Sequence, residues 1–255
     1  MIELGFLQVA TAYVFLLVMM GLLRLRGIPR GKEALIASVR MTFQLILAGY
    51  LLTFVFQHPS PWITLLLVGG MEFFAILTIR RKFRGRMPHG LLQAVALALA
   101  GGSIFALGIF LYGVVQVRPW FDPQYVIPVA GMIIGNAMTG ISLGVKNMIE
   151  EMQARRQLVE EALILGGSPL EATREMADRG FEGALLPTMN NMMGTGIVFL
   201  PGMMTGQILA GASPQVAIAY QIGIMLGIFG AVGLSVFLFL QLGYRHFFNE
   251  QQQLQ

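Results

Sequence analysis

Long apolar runs constrain this chain more than any other feature of its sequence. Seven of them approach or exceed the roughly 20 mostly apolar residues that a helix needs to cross a bilayer. Only 12% of the 255 residues are charged and 56% are hydrophobic, whereas about 25% of the residues of a soluble domain are charged. We therefore predict an all-α integral membrane protein with seven transmembrane helices in a single domain over residues 1–255. The predicted spans are Leu4–Leu23, Ala34–Phe56, Trp62–Ile79, Leu91–Val117, Tyr125–Val145, Met192–Ala210 and Gln215–Leu240.

The distribution of Lys and Arg predicts the orientation of these spans. The loops after the first and third spans, "RLRGIPRGK" and "RRKFRGRMPHG", are basic, as short cytoplasmic loops are. The loops "QHPSP" and "GASP" on the other side carry no formal charge. This asymmetry predicts an N-terminus outside and a C-terminus in the cytoplasm. The basic loops are explained by topology and by contact with anionic membrane lipid, so we predict no nucleic-acid partner.

One long polar segment, about residues 146–187, separates spans 5 and 6 and is predicted to face the cytoplasm. Its apolar residues first follow a helical spacing that extends span 5, and Gly166–Gly167 ends that helix. A new helix then begins. Ser168 is the predicted N-cap, Pro169 takes the first helical position, and Glu171 completes a capping box.

This second cytoplasmic helix is predicted to be short and amphipathic. We expect it to end near Arg179, with Gly180 as its stop, and the chain to return to the membrane at Pro187. Its apolar side includes Leu170 and Met176 and needs a partner. That side either packs on the cytoplasmic ends of the protein's own spans or docks into another protein.

The segment "EEALILGGSPLEATREMADRGFEGALLP" resembles the coupling loop of ABC-transporter permeases, which inserts a short helix into a groove on the ATPase. Glu161, Ala162 and Gly167 match the start of the "EAA…G…LP" pattern and Leu186–Pro187 match its end, with a longer intervening stretch than in the usual importer loop. The resemblance implies a role in ATPase coupling for Glu161, Ala162, Gly167, Ser168, Pro169, Leu170, Glu171 and Met176.

Two further stretches, Val126–Met138 and Leu200–Ile222, resemble the FetB (YbbM) family of bacterial iron-export ABC permeases, which includes plant permeases linked to aluminium tolerance. The resemblance implies the membrane subunit of an ATP-driven exporter in the bacterial cytoplasmic (inner) membrane, working as a homodimer with a separate ATPase. That ATPase would bind ATP and Mg, so no cofactor and no enzymatic activity are expected of this chain, and its sequence has no phosphate-loop motif. The alternatives are a secondary transporter or channel without an ATPase, and a membrane scaffold that transports nothing.

The sixth run combines helix breakers with polar groups. Pro201 lacks the N–H that a helix needs, and Gly202 and Gly206 add flexibility. Irregular backbone at membrane depth is tolerated inside a protein or along a wet cavity, so this run is either a packing kink or a gate or substrate path. Asn136 and Gln221 are polar residues inside the spans before and after this run. Each of them either packs against another helix or lines the same path. The candidate path residues are Asn136, Pro201, Gly202, Met203, Met204, Thr205, Gly206, Gln207 and Gln221.

Two charges lie well inside predicted spans, at similar depth from the cytoplasmic side. Arg40 and Glu72 could form an intramembrane ion pair between neighbouring helices. Alternatively, Arg40 extends its side chain to the cytoplasmic headgroups. The 17 methionines suit a soft ion such as Cu(I) better than iron, but they are also good core fillers. The residues therefore identify no metal site, and iron is implied by the resemblance alone.

Overall fold

All regular secondary structure in the described part of the chain is helical. The computed structural model describes residues 5–88, 90–249, 251 and 253, so Leu4, where the first predicted span begins, lies outside the described residues. The chain divides into two compact units, residues 1–58 and 59–255. The nine α-helices of the described residues are α1 (Phe6–Leu25), α2 (Gly31–Gln57), α3 (Pro61–Lys82), α4 (Leu91–Gly108), α5 (Pro123–Ala154), α6 (Arg156–Ile164), α7 (Pro169–Gly194), α8 (Gly202–Leu209) and α9 (Pro214–Gly243).

Six helices in the described residues are long and apolar enough to cross a membrane. They contain most of spans 1 to 5 and all of span 7 as predicted, which confirms the all-helical, multi-pass class. The predicted span Met192–Ala210 is not one of them, because the chain there is not a single helix. It contains the end of α7, a non-helical stretch over residues 195–201, and the eight-residue α8.

The first unit is a pair of antiparallel helices. Helices α1 and α2 are joined by a short turn in which Gly27 has a φ of +66°, a conformation that glycine adopts without strain. Within the pair, the hydroxyl groups of Tyr13 and Thr42 form a hydrogen bond. This bond is a polar link between the two helices.

The core of the second unit is a tight block of α4, α5 and α9. A Cβ atom at Gly102 in α4 would lie 2.7 Å from the backbone nitrogen of Ser235 in α9. A Cβ atom at Gly140 in α5 would lie 2.6 Å from Cγ1 of Val232. Both glycines therefore permit a helix–helix approach that no larger residue allows, as is common between membrane helices.

Beyond α4 the chain continues as a π-helical segment, Ile109–Val115, which turns Phe110 onto α9. The ring is buried and packs on Gly223 and Gly227, where Cβ atoms would lie 3.1–3.4 Å from side chains of this segment. The glycine pair of α9 thus makes room for an aromatic ring.

The polar segment folds into a helical hairpin made of α6 and α7. The predicted extension of span 5 runs only to Ala154, because a break at Arg155 separates α5 from α6. The end of α6 before Gly166–Gly167 and the start of α7 after Ser168 are as predicted. The predicted end near Arg179 is wrong, because α7 runs on to Gly194. Gly180 does not stop the helix: it lies buried within α7, next to Leu240 and Asn147 of two other helices.

Candidate functional site

The break between α7 and α8 is an ordered turn, and it begins earlier than the sequence predicts. Helix α7 ends at Gly194, where a Cβ atom would lie 2.9 Å from the ring of Phe199. Gly196 follows with a φ of +85°, and its N–H donates to the carbonyl of Phe199 at 3.0 Å. The amide of Val198 donates to the carbonyl of Gly194 at 3.0 Å. Glycines therefore start the break, and Pro201 ends it.

Pro201 is the N-cap residue of α8 and provides no side-chain cap. The first intrahelical bond of α8 runs from the amide of Thr205 to the carbonyl of Pro201, at 3.0 Å. Helix geometry therefore leaves the N–H groups of Gly202, Met203 and Met204 without an acceptor in their own helix. These groups form the positive end of the α8 dipole.

A cavity of about 260 Å³ lies at this end of α8 and is the candidate functional site. We call it the break cavity. Four polar side chains from three long helices line it: Asn136 from α5, Thr188 and Asn191 from α7, and Gln221 from α9. The other lining residues are Met132, Phe199, Pro201, Gly202, Met203, Ile224, Met225 and Ile228.

Helical spacing explains how these residues reach one cavity. Thr188 and Asn191 are three residues apart, and Gln221 and Met225 are four apart, so each pair shares a helix face. The Asn136 amide group donates to the carbonyl of Met132 at 2.8 Å. Such a bond leaves the Asn136 carbonyl oxygen to interact elsewhere.

Gln221 is the most deeply buried polar side chain of the break cavity, with 5% of its surface exposed. Its Oε1 atom is buried and has no hydrogen-bond partner within the described part of the chain. A buried unpartnered acceptor is costly, by about 1–3 kcal/mol. Gln221 also lines a neighbouring apolar cavity of about 580 Å³, together with Met192, Met204 and Met225.

The structure brings together five of the nine predicted path residues: Asn136, Pro201, Gly202, Met203 and Gln221 line the break cavity. Met204 lines the neighbouring cavity. Thr205, Gly206 and Gln207 are not among the lining residues of either one. The Oε1 atom of Gln207 is buried without a partner in the described residues, but it lies outside both cavities.

Sequence reasoning missed Thr188 and Asn191. Both lie in "PTMNN", directly after Pro187, where the chain is predicted to return to the membrane. Polar residues three apart on one helix face at that depth are the signal that would have identified them.

Glu72 lies apart from the break cavity and is 7% exposed. The Ser103 hydroxyl contacts its Oε1 atom and also lies 2.6 Å from the Leu99 carbonyl. Ser103 is a partner that sequence reasoning did not identify. Arg40 belongs to the other compact unit, so the Arg40–Glu72 ion pair stays a prediction.

The corner between α6 and α7 exposes two large apolar side chains. Ile164 is 83% exposed and Leu165 is 87% exposed. The corner is built by Gly166, which has a φ of +90°, and by Gly167, whose N–H donates to the carbonyl of Ala162 at 2.9 Å. A Cβ atom at Gly167 would lie 2.9 Å from the same oxygen, so this position requires glycine.

The predicted capping box at the start of α7 is confirmed. The Ser168 N–H and hydroxyl donate to Oε2 of Glu171 at 2.9 and 2.7 Å, and the Glu171 N–H donates to the Ser168 hydroxyl at 3.3 Å. The bond from the Ser168 backbone N–H, followed by the one from its hydroxyl, lowers the pKa of the exposed Glu171 carboxyl below its ordinary value. Pro169 takes the first helical position.

The inward face of α7 packs on its own protein. The sequence places Met176 on the docking side, but the structure buries it to 4% exposure, close to Gly180 on the face that packs on α5 and α9. Leu170 is 47% exposed. Arg155 lies 2.9 Å from Glu151 of α5 and 3.6 Å from Glu175 of α7, so it ties the hairpin to α5. The exposed corner, rather than Met176, is therefore available to a partner.

The chemistry of the break cavity is that of amides, a hydroxyl and thioethers, with no carboxylate, imidazole or thiolate among its lining residues. Within the described residues there is no group of three or more His, Cys, Asp or Glu that could hold a metal ion. Iron prefers carboxylate, imidazole or water oxygen. The cavity can therefore hold a polar solute by hydrogen bonds, and it is a poor site for a bare iron ion.

Comparison with known proteins gives concordant matches over nearly the whole chain. The family described as "Uncharacterised protein family (UPF0014)" matches residues 6–248. The "Probable iron export permease protein FetB" of Escherichia coli is 33% identical, over 88% of this chain and 84% of the relative. The Arabidopsis thaliana "Protein ALUMINUM SENSITIVE 3" is 35% identical, over 98% of this chain and 90% of the relative. The "UPF0014 membrane protein STAR2" of rice is 37% identical, over 96% of this chain and 84% of the relative.

No solved structure matches the chain. The relatives agree with the resemblance that the "VIPVAGMIIGNAM" and "LPGMMTGQ" stretches indicate, and with the six apolar helices. The chain belongs to the UPF0014 family of multi-pass membrane proteins, which includes relatives named as an iron export permease and as an aluminium-sensitivity protein.

Proposed function

We propose that this protein is the membrane permease subunit of an ATP-driven ABC exporter, and that it moves iron or a related metal species out of a bacterial cytoplasm. Two copies would assemble in the inner membrane with a separate ATPase that binds ATP and Mg. The iron export permease among the relatives supports the class of cargo. The main observation in support of an ATPase partner is the exposed apolar corner of the α6–α7 hairpin.

The corner fits a docking role for three reasons. Ile164 and Leu165 lie in the polar segment between long apolar helices, so we place them outside the hydrocarbon core. Each of the two side chains exposes more than four-fifths of its surface, and adjacent apolar residues in water favour a partner that covers them. The same residues lie within the stretch that resembles the coupling loop of ABC permeases, between Ala162 and Gly167.

The hairpin is also held firmly enough to transmit force. Arg155 contacts carboxylates of both α5 and α7. Gly183 of α7 lies so close to α5 that a Cβ atom there would be 2.7 Å from the Asn147 side chain. A partner that moves the corner would therefore move the first part of α7, and α7 continues past Pro187 to Thr188 and Asn191 in the break cavity.

We further propose that the end of α7, the turn over residues 195–201 and α8 together cross the bilayer as a discontinuous sixth span, which brings the total to seven. Discontinuous helices place irregular backbone at a transporter's binding site, where it lines a cavity. This arrangement returns the chain to the outside before α9. It agrees with the basic loops, which predict an outside N-terminus and a cytoplasmic C-terminus.

The corner is tested by a single substitution with a matched control. The chain is co-expressed with candidate ABC ATPases of its source organism, and the ATPase that co-purifies is identified. Leu165→Asp should weaken that association by about 30-fold or more, since a side chain that anchors an interface contributes about 2 kcal/mol or more. Ala154→Asp adds the same charge at an exposed site at the end of α5 and should leave association unchanged.

Yield and monodispersity in detergent should be the same for both variants, because neither site is buried. Retained ATPase association in Leu165→Asp would refute docking at the corner. Absence of any co-purifying ATPase, combined with solute transport driven by an ion gradient alone, would instead identify a secondary transporter.

A further inference from the structure

We propose that the break cavity binds a hydroxycarboxylate anion, with a carboxylate at the N-terminus of α8 and a hydroxyl group on Gln221. The inference rests on the proposed function, because it names the chemical group by which the exported species would be held. Three features of the cavity carry it: the positive helix end, the unpartnered Gln221 oxygen, and the limited volume.

The N-terminus of α8 has N–H groups that need a hydrogen-bond acceptor. The N–H groups of Gly202, Met203 and Met204 lack acceptors within α8, and Pro201 offers no side-chain cap. Gly202 and Met203 line the cavity. Free N–H groups and the helix dipole together favour an anionic oxygen at such a position. Thr188 and Asn191 bring further hydrogen-bond donors to the same space.

The side-chain oxygen of Gln221 needs a hydrogen-bond donor. Its Oε1 atom is buried on α9, another lining helix, and has no partner among the described residues. A plain carboxylate can only accept hydrogen bonds, so it would leave this oxygen unsatisfied. A ligand that carries a hydroxyl group beside its carboxylate provides an acceptor for the N–H groups of α8 and a donor for the Gln221 oxygen. A bare metal cation satisfies Gln221 but is repelled by the helix end.

The size of the cavity points to a small solute. Its volume of about 260 Å³ lies just under the roughly 300–1,000 Å³ of pockets for drug-sized ligands. Apolar lining residues such as Ile224 and Ile228 suit the carbon skeleton of such a ligand. A metal would then travel as the complex of an organic acid, and the protein would contact the acid.

The experiment compares two ligands that differ in one hydroxyl group. Citrate and tricarballylate share three carboxylates, and only citrate carries the hydroxyl. Binding to the purified full-length protein in detergent is measured by calorimetry. Citrate should bind about tenfold more tightly than tricarballylate, because the deoxy ligand leaves Gln221 unpartnered. This comparison needs no variant.

Two matched variants locate the effect. Gln221→Leu should bring the citrate affinity down by about tenfold, to that of tricarballylate, and abolish the discrimination. Gln207→Leu also removes a buried unpartnered amide, but from outside the cavity, and should leave both affinities unchanged.

Equal affinities for the two acids in the unaltered protein would overturn the proposal. So would binding of ferrous or cuprous ion alone with no binding of citrate, because that result would assign the cavity to a bare cation. The ATPase association measured with Leu165→Asp is independent of all these ligands. Failure of the hydroxycarboxylate site would therefore leave the exporter assignment standing, and the reverse also holds.

Discussion

Two adjacent glycines in α4 should respond in opposite ways to the same substitution. Gly102 faces α9, and a Cβ atom there would lie 2.7 Å from the backbone nitrogen of Ser235 and 2.8 Å from its Cα. Gly101 is exposed, and a Cβ atom there would lie 3.4 Å from Cδ1 of Leu238, the far end of a flexible side chain. Only the contact at Gly102 involves backbone, which cannot move without shifting a helix.

The magnitudes follow from two opposing effects. Alanine favours a helix by about 1 kcal/mol over glycine at either position. Overpacking costs about 1–3 kcal/mol, and a clash with backbone belongs in the upper part of that range. Gly102→Ala should therefore lower the free energy of unfolding by about 1–2 kcal/mol, whereas Gly101→Ala should raise it by up to about 1 kcal/mol.

The assay is thermal unfolding in detergent, followed by loss of monodisperse protein. For a chain of this size each kcal/mol shifts the midpoint by about 2–4 °C. We expect Gly102→Ala to melt about 2–8 °C below the parent and Gly101→Ala to melt at the parent temperature or slightly above. Equal midpoints for the two variants would refute the close α4–α9 contact.

Two further predictions concern the helix break and the capping box. Replacing Gly196, Pro201 and Gly202 with alanine should favour continuous helix, because it removes the glycine that holds a φ of +85° in the turn, restores an N–H and raises helix propensity. We expect ATPase association to persist while transport in vesicles is lost; normal transport by a stable triple variant would show that the break serves packing only. The pKa of Glu171 is lowered in the folded protein, so its ionised form stabilises α7 above the ordinary carboxyl pKa, and this contribution is lost as pH falls through the lowered value. Ser168→Ala should move the Glu171 titration, followed by NMR of the labelled carboxyl, part of the way upward toward the ordinary value, because it removes the hydroxyl bond and keeps the backbone N–H bond at position 168. An unchanged titration would contradict the hydroxyl bond.

Local chemistry was readable from the sequence, and tertiary contacts were not. Ser168, Pro169 and Glu171 were identified because a capping box depends only on residues within one turn. Gly180 was mistaken for a helix stop because the residues that surround it, Asn147 and Leu240, come from other helices.

The residues of the candidate site also fall into two groups, those that the sequence indicates and those that only the packing of helices brings together. Asn136 and Gln221 stand out as polar residues inside apolar runs, so composition alone singles them out. Thr188 and Asn191 occur in a mixed sequence near a proline, and only the packing of α7 against α5 and α9 brings them into the cavity. Ser103 next to Glu72 is a contact between α3 and α4 that no local pattern indicates.

The continuity of α7 has a mechanical consequence. As one helix of 26 residues it is about 39 Å long, with the exposed apolar corner at its start, the break cavity near its end and Pro187 between them. An interior proline removes a helical hydrogen bond and favours a bend, so we expect a tilt of the first part of α7 to reach Thr188 and Asn191 as a change of angle at Pro187. The non-helical turn after Gly194 would then allow α8 to keep its own orientation while the end of α7 changes direction.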